Sequence, residues 1–163
     1  MTEEEPASRE PKHTKFRRGL TAAFVLYMAA LLYVTLLAWN YGSSYGAQGP
    51  GSRNYNLHPF ESIMNIALYS DNIMDPLTIL AGNIIMFMPF GFLLGLLIHS
   101  RTKVFWLVPL YACLLSISIE SAQFMFTYRV SNVDDVILNT AGGIFGTWLA
   151  LFVRWLAGKY NKK

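Results

Sequence analysis

Four long apolar runs constrain the fold of this chain more than any other feature of its sequence. They cover residues 20–39, 77–98, 104–126 and 136–153, and only the third contains a charged residue, Glu120. An α-helix rises 1.5 Å per residue, so about 20 residues cross the roughly 30 Å hydrocarbon core of a bilayer. The sequence therefore predicts an all-α polytopic membrane protein, a bundle of four transmembrane helices.

Composition supports a membrane environment. Of the 163 residues 53% are hydrophobic and 14% are charged, whereas about 25% are charged in ordinary soluble domains. The first run could instead be a cleaved signal, because four basic residues precede it closely. Signal cores are about 7 to 15 apolar residues long and end at a small-x-small site. This run is longer and no such site follows, so we expect it to be retained as a span.

The distribution of Lys and Arg predicts the orientation. Five of the thirteen precede the first run, two lie in residues 99–103 and four follow from Arg154 onward. Only Arg53 and Arg129 fall on the opposite side. Short cytoplasmic loops hold the basic residues of membrane proteins, so both termini are expected in the cytoplasm. The same pattern explains the positive net charge without a nucleic-acid partner.

The sequence outside the spans divides into tails and one large external segment. We expect a disordered cytoplasmic tail over residues 1–19, a membrane domain over 20–156 and a basic cytoplasmic tail over 157–163. Within the external segment, residues 61–75 carry apolar side chains near helical spacing, which favours a helix lying along the outer membrane surface. An ordinary covering loop is the alternative. The spaced apolar residues are Ile63, Ile66, Ala67, Ile73 and Met74.

Polar residues within the spans converge at one depth. With alternating span direction, Asn83, Glu120 and Asn139 each lie on the order of 6 to 9 Å below the outer boundary. The inner half of every span is nearly free of such residues, and polar groups inside a membrane mark functional sites. We call the full set the polar cluster. Its members are Asn83, Glu120, Gln123, Arg129, Asp134, Asp135 and Asn139.

The spacing of these residues places them on defined helix faces. Glu120 and Gln123 share a face of the third span, which Ser116 and Cys113 continue one and two turns deeper. Asp135 and Asn139 share a face of the fourth span with two glycines. An anionic Glu120 requires a partner such as Arg129 or an amide, and otherwise stays protonated; the sequence does not distinguish these states. Such groups also serve as interhelical hydrogen bonds without any site.

Small residues predict where helices approach closely. Gly142 and Gly146 in the fourth span, and Gly91 and Gly95 in the second, are small-x-x-x-small pairs that bring backbones together. The same glycines would equally serve a homodimer. No motif indicates a cofactor, and three histidines scattered along the chain do not indicate a metal site.

The order and spacing of these residues resemble the VanZ family of bacterial membrane proteins, named for a teicoplanin resistance factor. The resemblance extends from about Asn56 to Gly146. One position departs from the family pattern, because Asn132 stands where another Asp is frequent, three residues before Asp135. The residues that carry the resemblance are Asn56, Leu57, His58, Pro59, Phe60, Asn83, Phe87, Pro89, Gly91, Glu120, Gln123, Arg129, Asp135, Asn139 and Gly142.

The resemblance implies a polytopic protein of the bacterial cell membrane. The namesake of the family lowers susceptibility to the glycopeptide teicoplanin, and an effect of this kind is an expectation for this chain. Our leading hypothesis is that the polar cluster binds a lipidated glycopeptide or a lipid-linked cell-wall precursor at the outer surface, with membrane lipid around the bundle. The alternative is a membrane-embedded enzyme acting on such a precursor, with Glu120 and Asp135 as an acid-base pair and His58 nearby. No nucleophile motif is visible, and His58 is equally suited to turning the chain before Pro59.

Overall fold

A computed structural model of the protein describes residues 12–38, 55–69, 74–126 and 130–160. Its helices are α1 Lys12–Leu32, continued by a π-helical turn Tyr33–Leu37, then α2 Glu61–Tyr69, α3 Met74–Leu97, α4 Arg101–Phe126 and α5 Val133–Tyr160. Two short strands, β1 Tyr55–Asn56 and β2 Ser131–Asn132, pair in parallel.

The predicted four-span, all-α architecture is confirmed. Among the described residues, four helices are long and apolar enough to cross a membrane. They lie in Thr14–Leu37, Leu80–Leu97, Arg101–Phe126 and Val133–Tyr160. α3 continues through Pro89 without a break. Within a membrane, neighbouring helices can satisfy the backbone groups that a proline leaves without a hydrogen bond in its own helix.

The helices extend beyond the predicted spans at the basic ends of the sequence. α1 begins at Lys12, so the prediction of a disordered tail is wrong for residues 12–19. Pro11 directly precedes this helix, and residues 12–19 contain no proline, so the helix continues through its basic residues. Likewise α5 continues to Tyr160, into the predicted tail. Residues 1–11 and 161–163 lie outside the described part of the chain.

The bundle has two chemically different ends. α1 and α4 run in one direction and α3 and α5 in the other, so the end of α4 lies beside the start of α5. We call the end that holds the last turns of α1 and α4 and the first turns of α3 and α5 the polar end. The opposite one is the basic end, because its described residues include Lys15, Arg17, Arg101, Lys103 and Arg154 and no Asp or Glu.

Glycines set the contact between α3 and α5. A methyl group on Gly142 would collide with the carbonyl oxygen of Ile84, and one on Gly146 would collide with that of Met88. Backbone therefore touches backbone along two successive turns. Such close approach is how membrane helices gain van der Waals contact without a hydrophobic driving force.

The glycines of α3 belong to the same interface. Gly91 lies against the carbonyl of Gly143, and Gly95 against the side chain of Ala150. The predicted close packing at the glycine pairs is therefore formed within one chain. Because α3 occupies this face of α5, a homodimer would have to use a different surface.

The apolar core lies where α1, α3 and α4 meet. α1 joins α3 through the Tyr27 hydroxyl, which donates a hydrogen bond to the carbonyl of Met86. This bond and the core packing hold the first span, most of whose surface is exposed in the bundle. The core residues are Leu31, Phe87, Phe90, Ala112 and Ile119.

At the basic end one arginine closes the last turn of α3. Arg154 of α5 donates to the carbonyls of Ile98 at 2.8 Å, Gly95 at 3.2 Å, and His99. Arg101 in turn donates to the carbonyl of Arg154 at 3.3 Å. The last carbonyls of a helix have no partner within that helix, so Arg154 caps α3 and ties it to α5.

Candidate functional site

The buried carboxylate of Asp134 holds the start of α2. Asp134 lies in the first turn of α5 and is 1% exposed. Its two oxygens accept hydrogen bonds from the backbone N–H groups of Phe60 at 2.5 Å and Ile63 at 3.1 Å. The first N–H groups of a helix lack internal partners and attract negative charge. Asp134 is therefore an N-terminal cap of α2 that comes from a different helix.

The connection between α4 and α5 is organised around Asn132. The carboxylate of Glu120, which is buried in α4, accepts a hydrogen bond from the Asn132 backbone N–H at 2.8 Å. The Asn132 side chain in turn accepts from the Asp134 N–H at 3.1 Å. Asn132 thus caps α5, a role for which Asn and Asp are equally suitable.

The segment before α2 is folded tightly onto the same end. Asn56 pairs with Asn132 across the two short strands, and its side chain donates to Ser62 at 2.9 Å and accepts from the His58 N–H at 2.9 Å. Phe60 has a positive φ of 67°, which non-glycine residues seldom adopt outside turns. The His58 backbone therefore turns the chain into α2, and its side chain is exposed.

Asn83 and Asp135 form a partly exposed pair between α3 and α5. The Asn83 side-chain amide donates to Asp135 at 2.9 Å. Both residues are only partly buried. This pair brings together two members of the polar cluster from spans that the sequence could only place at a common depth.

Asn139 lies one turn deeper and bonds to α4. Its amide nitrogen donates to the Ser116 hydroxyl at 2.9 Å, and both residues are buried. Its carbonyl oxygen has no hydrogen-bond partner among the described residues. An unpaired buried acceptor costs free energy. The amide nitrogen of Asn139 is therefore satisfied by Ser116, whereas its carbonyl oxygen carries this cost.

Gln123 attaches the first span to the polar end. Its amide nitrogen donates to the carbonyl of Thr35 at 2.8 Å, in a buried position. Thr35 lies in the π-helical turn, and its hydroxyl donates to the carbonyl of Leu31 at 2.8 Å. Sequence reasoning missed Thr35 and Ser62, and it named Asn56 only among the residues that carry the family resemblance. The signal that could have identified Thr35 was its hydroxyl side chain near the end of the first apolar run.

The polar cluster therefore divides by exposure. Four described members are buried and bonded to protein, whereas Asn83 and Asp135 are partly exposed. Arg129 lies outside the described residues, so the predicted pairing of Glu120 with Arg129 stays a prediction. In the part of the chain that the structure describes, no three His, Cys, Asp or Glu residues group closely enough to hold a metal ion. The buried members are Glu120, Gln123, Asp134 and Asn139.

Comparison with known proteins agrees with the resemblance seen in the sequence. Residues 24–154 match the sequence model of the VanZ/LLP1 family. The chain is similar to Protein VanZ of Enterococcus faecium, with 32% identity over 133 residues that cover 79% of this chain and 70% of the relative. No solved structure matches the chain significantly. The matched region contains every residue of the polar cluster.

Proposed function

This chain belongs to the VanZ/LLP1 family of membrane proteins, and we propose that it binds a lipidated or lipid-linked glycan or peptide at the polar end of its bundle. Binding there would lower the susceptibility of the bacterial cell to glycopeptides such as teicoplanin. The observation that carries the proposal is the Asn83–Asp135 pair, which presents a carboxylate and an amide at the edge of a membrane-embedded bundle.

The proposal includes an orientation. The described residues of the basic end hold no Asp or Glu, whereas Glu61, Glu120, Asp134 and Asp135 all belong to the polar end. Basic residues favour the cytoplasmic side of the membrane. We therefore propose that the polar end faces outward, where a glycopeptide or an exported cell-wall precursor is accessible.

The division by exposure suggests two roles within the polar cluster. Asp134 and Glu120 accept hydrogen bonds from the backbone of the connecting segments, and these bonds give the surface its shape. Asn83 and Asp135, with the exposed side chain of His58, are the groups that a bound molecule can reach. A hydrogen-bonded amide and carboxylate suit the hydroxyl and amide groups of glycans and peptides.

Charge removal at Asp135 tests the proposal. Asp135→Asn keeps the Oδ1 atom that accepts from Asn83 and removes the negative charge, so the fold should persist. We expect normal yield of folded protein in detergent, at least tenfold weaker binding of fluorescent teicoplanin to the protein in nanodiscs, and loss of any protection against teicoplanin in cells.

Ser118→Ala is the matched control. Ser118 is exposed on α4, and its hydroxyl donates to the carbonyl of Leu114 in the same helix. This variant should bind and protect as the parent does. If Asp135→Asn folds normally and still binds teicoplanin with parental affinity, the proposed contact surface is wrong.

A further inference from the structure

α2 carries an exposed row of large apolar side chains. Met64 and Leu68 are four residues apart and so share one face of the helix, and Phe60, which directly precedes the helix, is 54% exposed. Met64 is 56% exposed and Leu68 is 68% exposed. Leu57, four residues before the helix, is also exposed. The polypeptide offers no cover for these side chains among the residues that the structure describes.

This row belongs to a firmly held helix. Asp134 binds the backbone at Phe60 and Ile63, and Asn56 binds Ser62. Ser62 and Ile63 are partly buried, so this face of α2 is turned toward the bundle. The sequence predicted Ile63 as part of the membrane-facing side, whereas the structure turns it inward. Folding therefore orients α2 so that its apolar row points away from the protein.

A polar row runs beside the apolar one. Glu61 and Asn65 are exposed and lie about 60° and 100° around the helix from Met64, on the same side of it. α2 is thus amphipathic on its outward surface. A helix with adjacent apolar and polar rows suits a boundary between hydrocarbon and water.

The apolar row lies at the same end of the bundle as exposed apolar side chains of the spans. At this end Leu37, Leu77, Met125 and Phe126 are exposed. Large contiguous apolar surfaces seldom remain in water. We infer that α2 is seated in the membrane interface, with Phe60, Met64 and Leu68 among phospholipid acyl chains and with Glu61 and Asn65 facing water.

The seating of α2 is independent of any ligand, so it is tested without one. Single cysteines at Met64 and Asn65, introduced separately with Cys113→Ala, would be labelled with the environment-sensitive fluorophore NBD in nanodiscs of phosphatidylcholine and phosphatidylglycerol. Lipids with doxyl groups on the acyl chain then quench whatever lies in the hydrocarbon. We expect blue-shifted emission and at least threefold stronger quenching at position 64 than at 65.

Position 68 gives a second measurement should Met64→Cys fold poorly. Leu68→Cys should be quenched as strongly as Met64→Cys, because the two share a face. Equal quenching at Met64→Cys and Asn65→Cys, or none at either, would overturn the inference. The inference would also be overturned if quenching at position 64 were stronger in nanodiscs that hold one protein than in nanodiscs that hold two. In that case a second copy of the protein would cover the row.

Discussion

The backbone N–H of Phe60 donates a hydrogen bond to the buried carboxylate of Asp134, across 74 positions of sequence. A second bond from Ile63 reaches the other oxygen of the same carboxylate. Asp134 belongs to the first turn of α5, so α2 is attached directly to a transmembrane helix. The position of α2 is thereby coupled to the packing of the bundle.

The variant Asp134→Asn should loosen α2. Asparagine keeps one acceptor oxygen and places an NH2 group against the other backbone N–H, so one of the two bonds is lost in a buried position. We expect a loss of about 1–3 kcal/mol in stability and faster hydrogen exchange at the amides of Phe60 and Ile63. Thermal unfolding in detergent and exchange mass spectrometry would measure these. Asp135→Asn is the control, and equal stability of both variants would contradict the capping role.

Glycine replacement should separate interface from surface positions. Gly142→Ala and Gly146→Ala force methyl groups against carbonyls of α3, and overpacking of this kind costs about 1–3 kcal/mol. A methyl on Gly82 of α3 would meet nothing within 4 Å, so Gly82→Ala should be neutral or stabilising. Midpoints of thermal unfolding would decide; a comparable loss in all three variants would refute the proposed role of the α3–α5 contact.

The Asn139–Ser116 bond should appear as a coupling energy. Each single replacement, Ser116→Ala or Asn139→Ala, removes one partner, and the double variant removes both. Interhelical hydrogen bonds in membranes contribute roughly 0.6–2 kcal/mol. The loss of unfolding free energy in the double variant should therefore be smaller than the sum of the two single losses by about that amount. Strict additivity would mean that the bond does not contribute to stability.

Orientation is open to direct labelling. In a Cys113→Ala background, Asn65→Cys marks the polar end and Ser100→Cys the basic end; both positions are exposed. A membrane-impermeant maleimide should label Asn65→Cys in intact cells and Ser100→Cys only after the membrane is opened. The reverse order would place the polar end in the cytoplasm and remove the basis of the proposed binding surface.

Hydropathy and motif spacing predicted much of this molecule. The four spans and the family are confirmed, because each depends on local properties such as apolar length and the spacing of particular residues. In the structure Gly142 and Gly146 pack against the backbone of α3. The prediction of a disordered tail over residues 1–19 is wrong for residues 12–19, which are helical. The start of the first span was predicted from hydropathy. Charged residues in this segment lower its hydropathy but not its helix propensity, so the helix begins earlier than predicted.

Which side chains pair was not predictable from the sequence. Depth along each helix follows from the 1.5 Å rise, and the shared face of Asn139 and Asp135 follows from the helical period. Neither quantity gives the rotation of one helix against another. The bonds from Asn83 to Asp135, from Asn139 to Ser116, and from Gln123 to a backbone carbonyl of the first span all depend on that rotation.

By itself, then, the sequence determined a membrane bundle of a known family with its polar side chains at one end. Only the tertiary structure decided that most of these side chains are buried and bonded to protein, that Asp134 caps α2, and that Met64 faces outward while Ile63 faces the bundle. The physical reason is that hydrophobicity acts along each helix independently, whereas hydrogen bonds and backbone contacts require several helices to be in place at once.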